Sequence, residues 1–384
     1  MDSIIPYGKQ SITQEDIDGV IDVLKSDYMT QGPKIVEFEQ KFAKYIGCNY
    51  AVAVSNGTAA LHLATMALNV KSGDKVITTP ITFAASANCV LYCGGEVDFV
   101  DVDKNNFLID LNKLEEKLAS SSKGTYKGII PVDFTGLPVD TEKLRDIADK
   151  YGLWIIEDAC HAPGGYFKNS NNENIFCGDG KYADLSIFSF HPVKHIATGE
   201  GGMITTNNKK LYEKLLLLRT HGITKSPELL QENHGGWYYE MQELGFNYRL
   251  PDLSASLGIT QLEKADEGLK RRNEIAMKYF HAFKNTSIRT QQFSDNFYNA
   301  FHLFVIQIDD RLGLYNYLRD NKIFAQVHYI PVHLQPYYKT KGWKKGDLPF
   351  AESYYEKCLS LPMYPTLTNE EQDFVIKKVI DFVK

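Results

Sequence analysis

The chain has 384 residues, 43% hydrophobic and 12% aromatic, a composition that excludes a disordered polar segment and supports a sizeable core. Forty-two Lys and Arg against 48 Asp and Glu leave a net charge of −6, with no basic excess for a nucleic-acid backbone, so nucleic acid is not an expected partner. No apolar run approaches the ~18 to 20 residues of a bilayer span and Met1-Asp2-Ser3 lacks a basic leader, so no membrane association and a cytoplasmic location are expected.

In chain order, Ile17, Val20, Ile21 and Leu24 recur at helical spacing behind a Thr13/Asp16 capping box. A second helix follows Gly32-Pro33 through Ile35, Phe38, Phe42, Tyr45 and Ile46 and ends at Gly47. The rhythm then changes. Seven short apolar runs, at 51–54, 76–78, 97–102, 128–132, 153–156, 185–190 and 203–206, alternate with helical stretches. Such strands indicate an α/β domain built on a mostly parallel sheet covered on both faces, with ligands beyond the carboxyl ends of the strands. The polar segment Lys168 to Lys181 reads as a surface loop, and 221–250 as a long functional loop. A helical pattern from Asp252 to Phe283, a strand at 301–308 and a terminal helix after Thr368 predict a smaller α+β domain. The expected division is therefore 1–250 and 251–384. Cys48, Cys89, Cys93, Cys160, Cys177 and Cys358 show neither zinc spacing nor disulfide density, so reduced thiols and no metal are expected. P-loop and GxGxxG phosphate motifs are absent.

Three segments carry chemistry. Lys194 lies just past an apolar strand in a small-residue turn that ends Thr198-Gly199-Glu200-Gly201-Gly202. Partial desolvation there would lower the amine's pKa and make Lys194 a Schiff-base nucleophile, although a loop lysine is commonly solvated surface. Asp158 ends the run Leu153-Trp154-Ile155-Ile156-Glu157 and can hold a protonated pyridine nitrogen, or cap the next turn; His161 follows it. Ser55-Asn56-Gly57-Thr58-Ala59 passes from strand to helix, so helix N–H groups and the Thr58 hydroxyl can seat a phosphate, or be a plain cap. Lysine, acid and phosphate seat together are what pyridoxal phosphate needs.

With these segments, Thr30-Gln31-Gly32-Pro33, Thr82-Phe83-Ala84, Ser189 to Lys194 and Gly245-Phe246-Asn247-Tyr248-Arg249 occur in an order and spacing that resembles the DegT/DnrJ/EryC1/StrS family of sugar aminotransferases, nearly end to end. The resemblance implies a fold type I enzyme dependent on pyridoxal 5′-phosphate, cycling through pyridoxamine 5′-phosphate. It implies Lys194 as the Schiff-base lysine, Asp158 on the ring nitrogen, Thr58, Ala59 and Ser189 on the phosphate, Phe83 stacked on the ring and His161 near the ring hydroxyl. Asn247 would reach the phosphate of a second subunit, making a homodimer with shared sites. Tyr7, Thr30, Arg249, His328 and Tyr329 are expected near the nucleotide or hexose, and Tyr238 on a lid.

Arg219 to Lys225, Trp237 to Gln242 and Val327 to His333 are similar to the 4-aminotransferases of pseudaminic acid biosynthesis. That implies L-glutamate as donor and UDP-2-acetamido-2,6-dideoxy-β-L-arabino-hexos-4-ulose as acceptor. Another UDP- or dTDP-linked keto sugar is the alternative substrate. A sugar dehydratase, whose relatives carry His at the lysine position, and a non-catalytic sensor are the alternative activities.

Overall fold

In the computed structural model, which describes residues 4–384, the seven apolar runs pair into one sheet. Met1-Asp2-Ser3, the stretch read for a leader, lies outside the described residues. The strands are β1 (Tyr50–Val54), β2 (Lys75–Thr78), β3 (Glu96–Phe99), β4 (Tyr126–Ile130), β5 (Trp154–Asp158), β6 (Leu185–Ser189) and β7 (Gly202–Thr206). They lie in the order β1-β7-β6-β5-β4-β2-β3. Only β7 is antiparallel to its neighbours, as a mostly parallel sheet requires.

Near-continuous apolar strands need cover on both faces. Helices α1 (Gln14–Lys25), α2 (Pro33–Ile46), α3 (Gly57–Ala67), α4 (Ala85–Tyr92), α5 (Leu111–Ala119), α6 (Thr141–Tyr151), α7 (Lys209–Arg219), α8 (Asp252–Glu263) and α9 (Ala265–Phe283) provide much of it. Val52 and Val54 alternate with Ala51 and Ala53: the valines pack with α3, α4 and α7, and the alanines with α2 and α8. Helices α5 and α6 cover the far end of that second face. No helix of the described residues is long and apolar enough to cross a membrane.

Two sequence expectations are corrected. The 252–283 pattern is two helices, because Lys264 (φ −102°, ψ 1°) leaves helical geometry between them. The hydrophobic clusters change at that break: Ala255, Ile259, Leu262 and Ala265 pack with α2, whereas Ile275, Tyr279 and Phe283 pack with Phe304, Leu318 and Val379. Ile5 joins this second core and pairs in parallel with Ile323. Segment 168–181 is not simply a loop, because Tyr166–Lys168 and Asn174–Phe176 form a hairpin whose exit buries Cys177.

Helix α1 forms behind its Thr13/Asp16 capping box, and its apolar positions Ile17, Ile21 and Leu24 are exposed. Its buried positions are Asp16 and Val23, because α1 meets α8 through a polar, small face. Ser256 donates to the Gly19 carbonyl at 2.7 Å. Asp16 accepts from the Thr260 hydroxyl at 2.6 Å, the Gln261 amide at 2.9 Å and the Thr13 N–H at 2.8 Å, and ion-pairs with Lys264.

Burial alone would raise the Asp16 pKa, but the bonds from Lys264, Thr260 and Thr13 outweigh it and hold the carboxyl below its usual range. A depressed carboxyl contributes stability above the unfolded value of ~4 and loses it as pH falls through the folded value. Asp16→Ala is expected to cost about 3 kcal/mol in urea unfolding at pH 7, and Asp16→Asn to lose less stability than wild type between pH 5 and ~3.

Candidate active site

The carboxyl ends of β1, β5 and β6 bring the three chemical segments together. At the end of β6 the chain folds back tightly: Phe190 N–H donates to Gly201 O at 2.8 Å, Thr198 N–H to Phe190 O at 2.9 Å and Lys194 N–H to His191 O at 2.8 Å. The Lys194 side chain is partly buried, and its amine has no hydrogen-bond or ion-pair partner among the described residues. Burial pushes its pKa down; Cys160 and Asp158 oppose this, and the Arg272 guanidinium adds to it. An uncommitted amine with a lowered pKa is what carbonyl attack requires.

Asp158 ends β5 and is buried. Its Oδ2 accepts from Ser86 Oγ at 2.6 Å and its Oδ1 from Cys160 N–H at 3.2 Å. Ser86 in turn bonds Thr82 Oγ1 at 2.7 Å, which fixes its hydroxyl. The carboxylate is thus oriented by two neutral donors, and no cation is hydrogen-bonded to it among the described residues.

Helix α3 begins beside both groups. A Cβ on Gly57 would lie 3.0 Å from Ser189 Cβ and 3.6 Å from Cys160 Sγ, so glycine lets the helix start press against β6 and the Asp158 turn. The Thr58 hydroxyl carries no bond to the protein among the described residues. The Ala59 N–H donates to the Asn56 cap at 2.8 Å. A phosphate seated here meets the Thr58 and Ser189 hydroxyls first and reaches Ala59 only by sharing that cap.

Phe83 is 64% exposed beside Thr82 and near Ser86, the partner of Asp158, a ring free to cover a ligand. His161 is buried; its Nε2 faces Tyr329 OH at 3.3 Å and its Nδ1 has no partner. Tyr329, expected at the sugar, therefore lies on the cofactor side as well, 6.4 Å from the Phe83 ring. His328 is held by Ser360 Oγ at 2.8 Å and faces Tyr7 at 5.1 Å between ring centres. The remaining expected residues do not bond or stack with this group. Tyr238 hydrogen-bonds Glu240 in its own loop, Thr30 and Asn247 are exposed, and Arg249 bridges Val54 at the end of β1.

Ser86, His302 and Arg272 were not legible as site residues. Ser86 has a weak local signal, one turn beyond Thr82 in a run of small residues. His302 and Arg272 have none, because only the second core brings them in. His302 lies 4.4 Å from His161 and 5.8 Å from His195, ring centre to ring centre. Arg272 is buried and donates to the carbonyls of Phe301, His302 and Met363 at 3.2, 3.3 and 2.9 Å, without a carboxylate partner. Burial lowers its pKa to about 10.

The donor set fits a phosphorylated pyridine aldehyde at each end: hydroxyls at a helix start, a buried acid, an unpartnered amine and an exposed ring. The profile described as the DegT/DnrJ/EryC1/StrS aminotransferase family matches residues 10–380. The chain is 39% identical over 378 residues to the Campylobacter jejuni UDP-4-amino-4,6-dideoxy-N-acetyl-beta-L-altrosamine transaminase, covering 97% of this chain and 96% of that protein. It is 38% identical over 389 residues to the Bacillus subtilis spore coat polysaccharide biosynthesis protein SpsC, covering 99% and 97%. Among solved structures, Spr1654 of Streptococcus pneumoniae, named as a sugar aminotransferase and solved in a PLP form, superposes with a TM-score of 0.88 at 28% identity, with full coverage of both chains.

Burial first, and then the charges of Lys194 or Arg272, depress the pKa values of His161, His195 and His302 well below the usual histidine range and that of His328 to about 3. Histidines kept neutral by the fold contribute stability above ~6.5 and lose it as pH falls, because the unfolded chain takes up the protons. Urea unfolding at pH 7, 6 and 5 should therefore show a steep loss, up to about 1.4 kcal/mol per pH unit per histidine. His302→Gln should reduce that slope by one proton.

Proposed function

The chain belongs to the DegT/DnrJ/EryC1/StrS aminotransferase family, and from that premise we propose that it transfers an amino group from L-glutamate to C4 of a UDP-linked 4-keto-6-deoxy-N-acetylhexosamine, the arabino-configured sugar of pseudaminic acid biosynthesis. The observation that carries the reaction class is the unpartnered Lys194 amine, close enough to feel the charge of Asp158, which Ser86 orients. The similarity to the Campylobacter jejuni transaminase supports the sugar. Near-equal similarity to a spore-coat polysaccharide protein favours a second reading, another nucleotide-linked keto sugar on the same machinery.

Pyridoxal phosphate, when bound, supplies an electrophilic carbon and a ring that accepts electrons from a deprotonated substrate carbon. Thr58 and Ser189 would hold its phosphate, Asp158 its ring nitrogen, Lys194 its aldehyde carbon and Phe83 its ring face. Asp158 keeps the ring-nitrogen proton in place, which makes the ring an effective electron acceptor. Once displaced by glutamate, the Lys194 amine takes the proton from the glutamate Cα, and in the second half-reaction delivers one to C4 of the sugar. Its lowered pKa leaves a fraction of the amine neutral for the first of these transfers.

We also propose a homodimer. Ile17, Ile21 and Leu24 on α1, with Trp237 (75% exposed) and Leu244 (72% exposed) on the 221–250 loop, leave apolar surface of the kind that subunit contacts cover. Asn247 on that loop would then reach the partner's phosphate seat.

The test is glutamate-dependent turnover of the arabino 4-keto sugar against its xylo-configured C5 epimer, followed by 2-oxoglutarate release. Lys194→Ala should lower turnover about 10³-fold or more while the urea midpoint stays near wild type. Preference for the arabino sugar supports the assignment. Preference for the xylo epimer moves the enzyme to another sugar, and wild-type protein that binds no pyridoxal phosphate removes the mechanism.

A further inference from the structure

Behind Asp158, on the opposite face of β5, lies a cluster the reaction does not use. Asp133, Glu157 and Cys177 are all buried, and one ligand atom of each lies within 4.8 Å of the others. Glu157 Oε2 accepts from Gly178 N–H at 2.9 Å and Ser186 Oγ at 2.7 Å, and Asp133 Oδ1 accepts from Val139 N–H at 2.8 Å. Asp133 Oδ2 makes no hydrogen bond among the described residues, with the weakly donating Cys177 thiol as its neighbour. Neither carboxyl forms an ion pair among the described residues. Two full carboxylates here would be buried, close and uncompensated, which proteins avoid by retaining a proton.

The cluster is tied to the catalytic acid through the backbone. Asp158 N–H donates to Pro131 O at 2.9 Å, and Asp133 N–H donates to Asp158 O at 3.1 Å. Residues 131–133 therefore bracket the Asp158 peptide on both sides, and Glu157 precedes it on the same strand. We propose that Asp133 and Glu157 hold one proton between them at neutral pH and act as positioning residues for Asp158. The proton supplies the donor that Asp133 Oδ2 lacks and replaces repulsion across the bracket with a hydrogen bond.

The groups facing the pair agree. Cys177 and Asp179 approach from the hairpin exit, Ser186 from β6, Val139 through its N–H, and Cys160 from the site side. None is a cation. Burial and then the neighbouring Glu157 charge raise the Asp133 pKa well above its usual range, and burial raises that of Glu157 to about 7. A carboxyl raised by folding contributes stability that is full below ~4 and is lost as pH rises through the folded value. The histidines of the site act in the other direction and only in acid, so the pair is best read between pH 6.5 and 8.

Infrared difference spectroscopy of the full-length protein at pH 7.5 should show the C=O stretch of a protonated carboxylic acid, lost in Asp133→Asn and in Glu157→Gln. Between pH 6.5 and 8 the wild-type folding equilibrium constant should fall about tenfold per pH unit relative to Asp133→Asn, one proton's worth. On the function proposed above, Asp133→Ala should weaken pyridoxal phosphate binding about tenfold, while the isosteric Asp133→Asn, whose amide replaces the shared proton, stays within about twofold of wild type. Absence of the band, or equal pH slopes in wild type and Asp133→Asn, overturns the shared proton. Equal cofactor affinities in Asp133→Ala and Asp133→Asn overturn the positioning role. Zinc ion that raises the wild-type urea midpoint but not that of Asp133→Asn would make the cluster a cation site and also overturn the proposal. The infrared and folding readouts need no cofactor, so they decide the proton even if the proposed function fails.

Discussion

At Gly202 the β7 backbone is paired on both sides, to Val54 of β1 and Ser189 of β6, while the Asn56 peptide passes so close that a Cβ would lie 2.6 Å from its carbonyl. Any side chain at Gly202 would drive the start of α3 off the sheet. Because β7 runs antiparallel between two parallel strands, it begins where both of them end. The helix start carrying Thr58 and the turn carrying Lys194 are thereby brought to one level of the sheet. Gly57 against Ser189 makes the same close approach from the helix side. Sheet topology and two missing side chains, rather than any strong bond between the functional groups, assemble the site.

Charge then decides what the assembled groups can do. Lys194, Arg272 and four histidines crowd a buried region in which Asp158 is the acid aimed at the site. Arg272 is held by carbonyl dipoles rather than by a carboxylate, so its field is not cancelled locally and disfavours a second cation at Lys194. The histidines respond by staying neutral, and Lys194 keeps a depressed pKa. On the other face of β5, a proton shared by Asp133 and Glu157 would keep additional negative charge away from Asp158. On the proposal, one strand thus carries the Asp158 carboxyl on one face and, on the other, a carboxyl pair that keeps one proton between its two members.

The seven strands and the lysine, acid and helix-start segments are legible in the sequence because each is local: an apolar run of a few residues ending in polar or small ones. What failed to show is tertiary. The Ile17/Ile21/Leu24 stripe has helical period, but α1 buries Asp16 and the Gly19 face, since Thr260, Gln261 and Lys264 of a distant segment satisfy that carboxylate. Periodicity reports that a helix forms, not which face meets its neighbour when the contact is polar. Ser86, His302 and Arg272 become site residues only when α4 and the second core close around Asp158 and His161. The Ala59 N–H, a phosphate donor by position, is occupied by Asn56, a competition that no sequence pattern separates from an open cap.

The same reasoning bears on how the sugar is chosen. The proposed cofactor anchors lie on strand ends and the start of α3, elements fixed by the sheet, and in that role they would not distinguish one hexose epimer from another. Groups able to do so sit on other segments: Tyr7 after the Ile5 pairing, His328 and Tyr329 before the Val332–Leu334 turn, and the exposed 221–250 loop. Tyr329 is shared between the two tasks, since its hydroxyl meets His161 while its ring lies near Phe83. A substitution there would alter the cofactor environment and the sugar face together. Selectivity can therefore diverge among relatives through Tyr7, His328 and the loop while Lys194, Asp158 and Ser86 stay in place, which is why overall similarity identifies the reaction more firmly than the hexose.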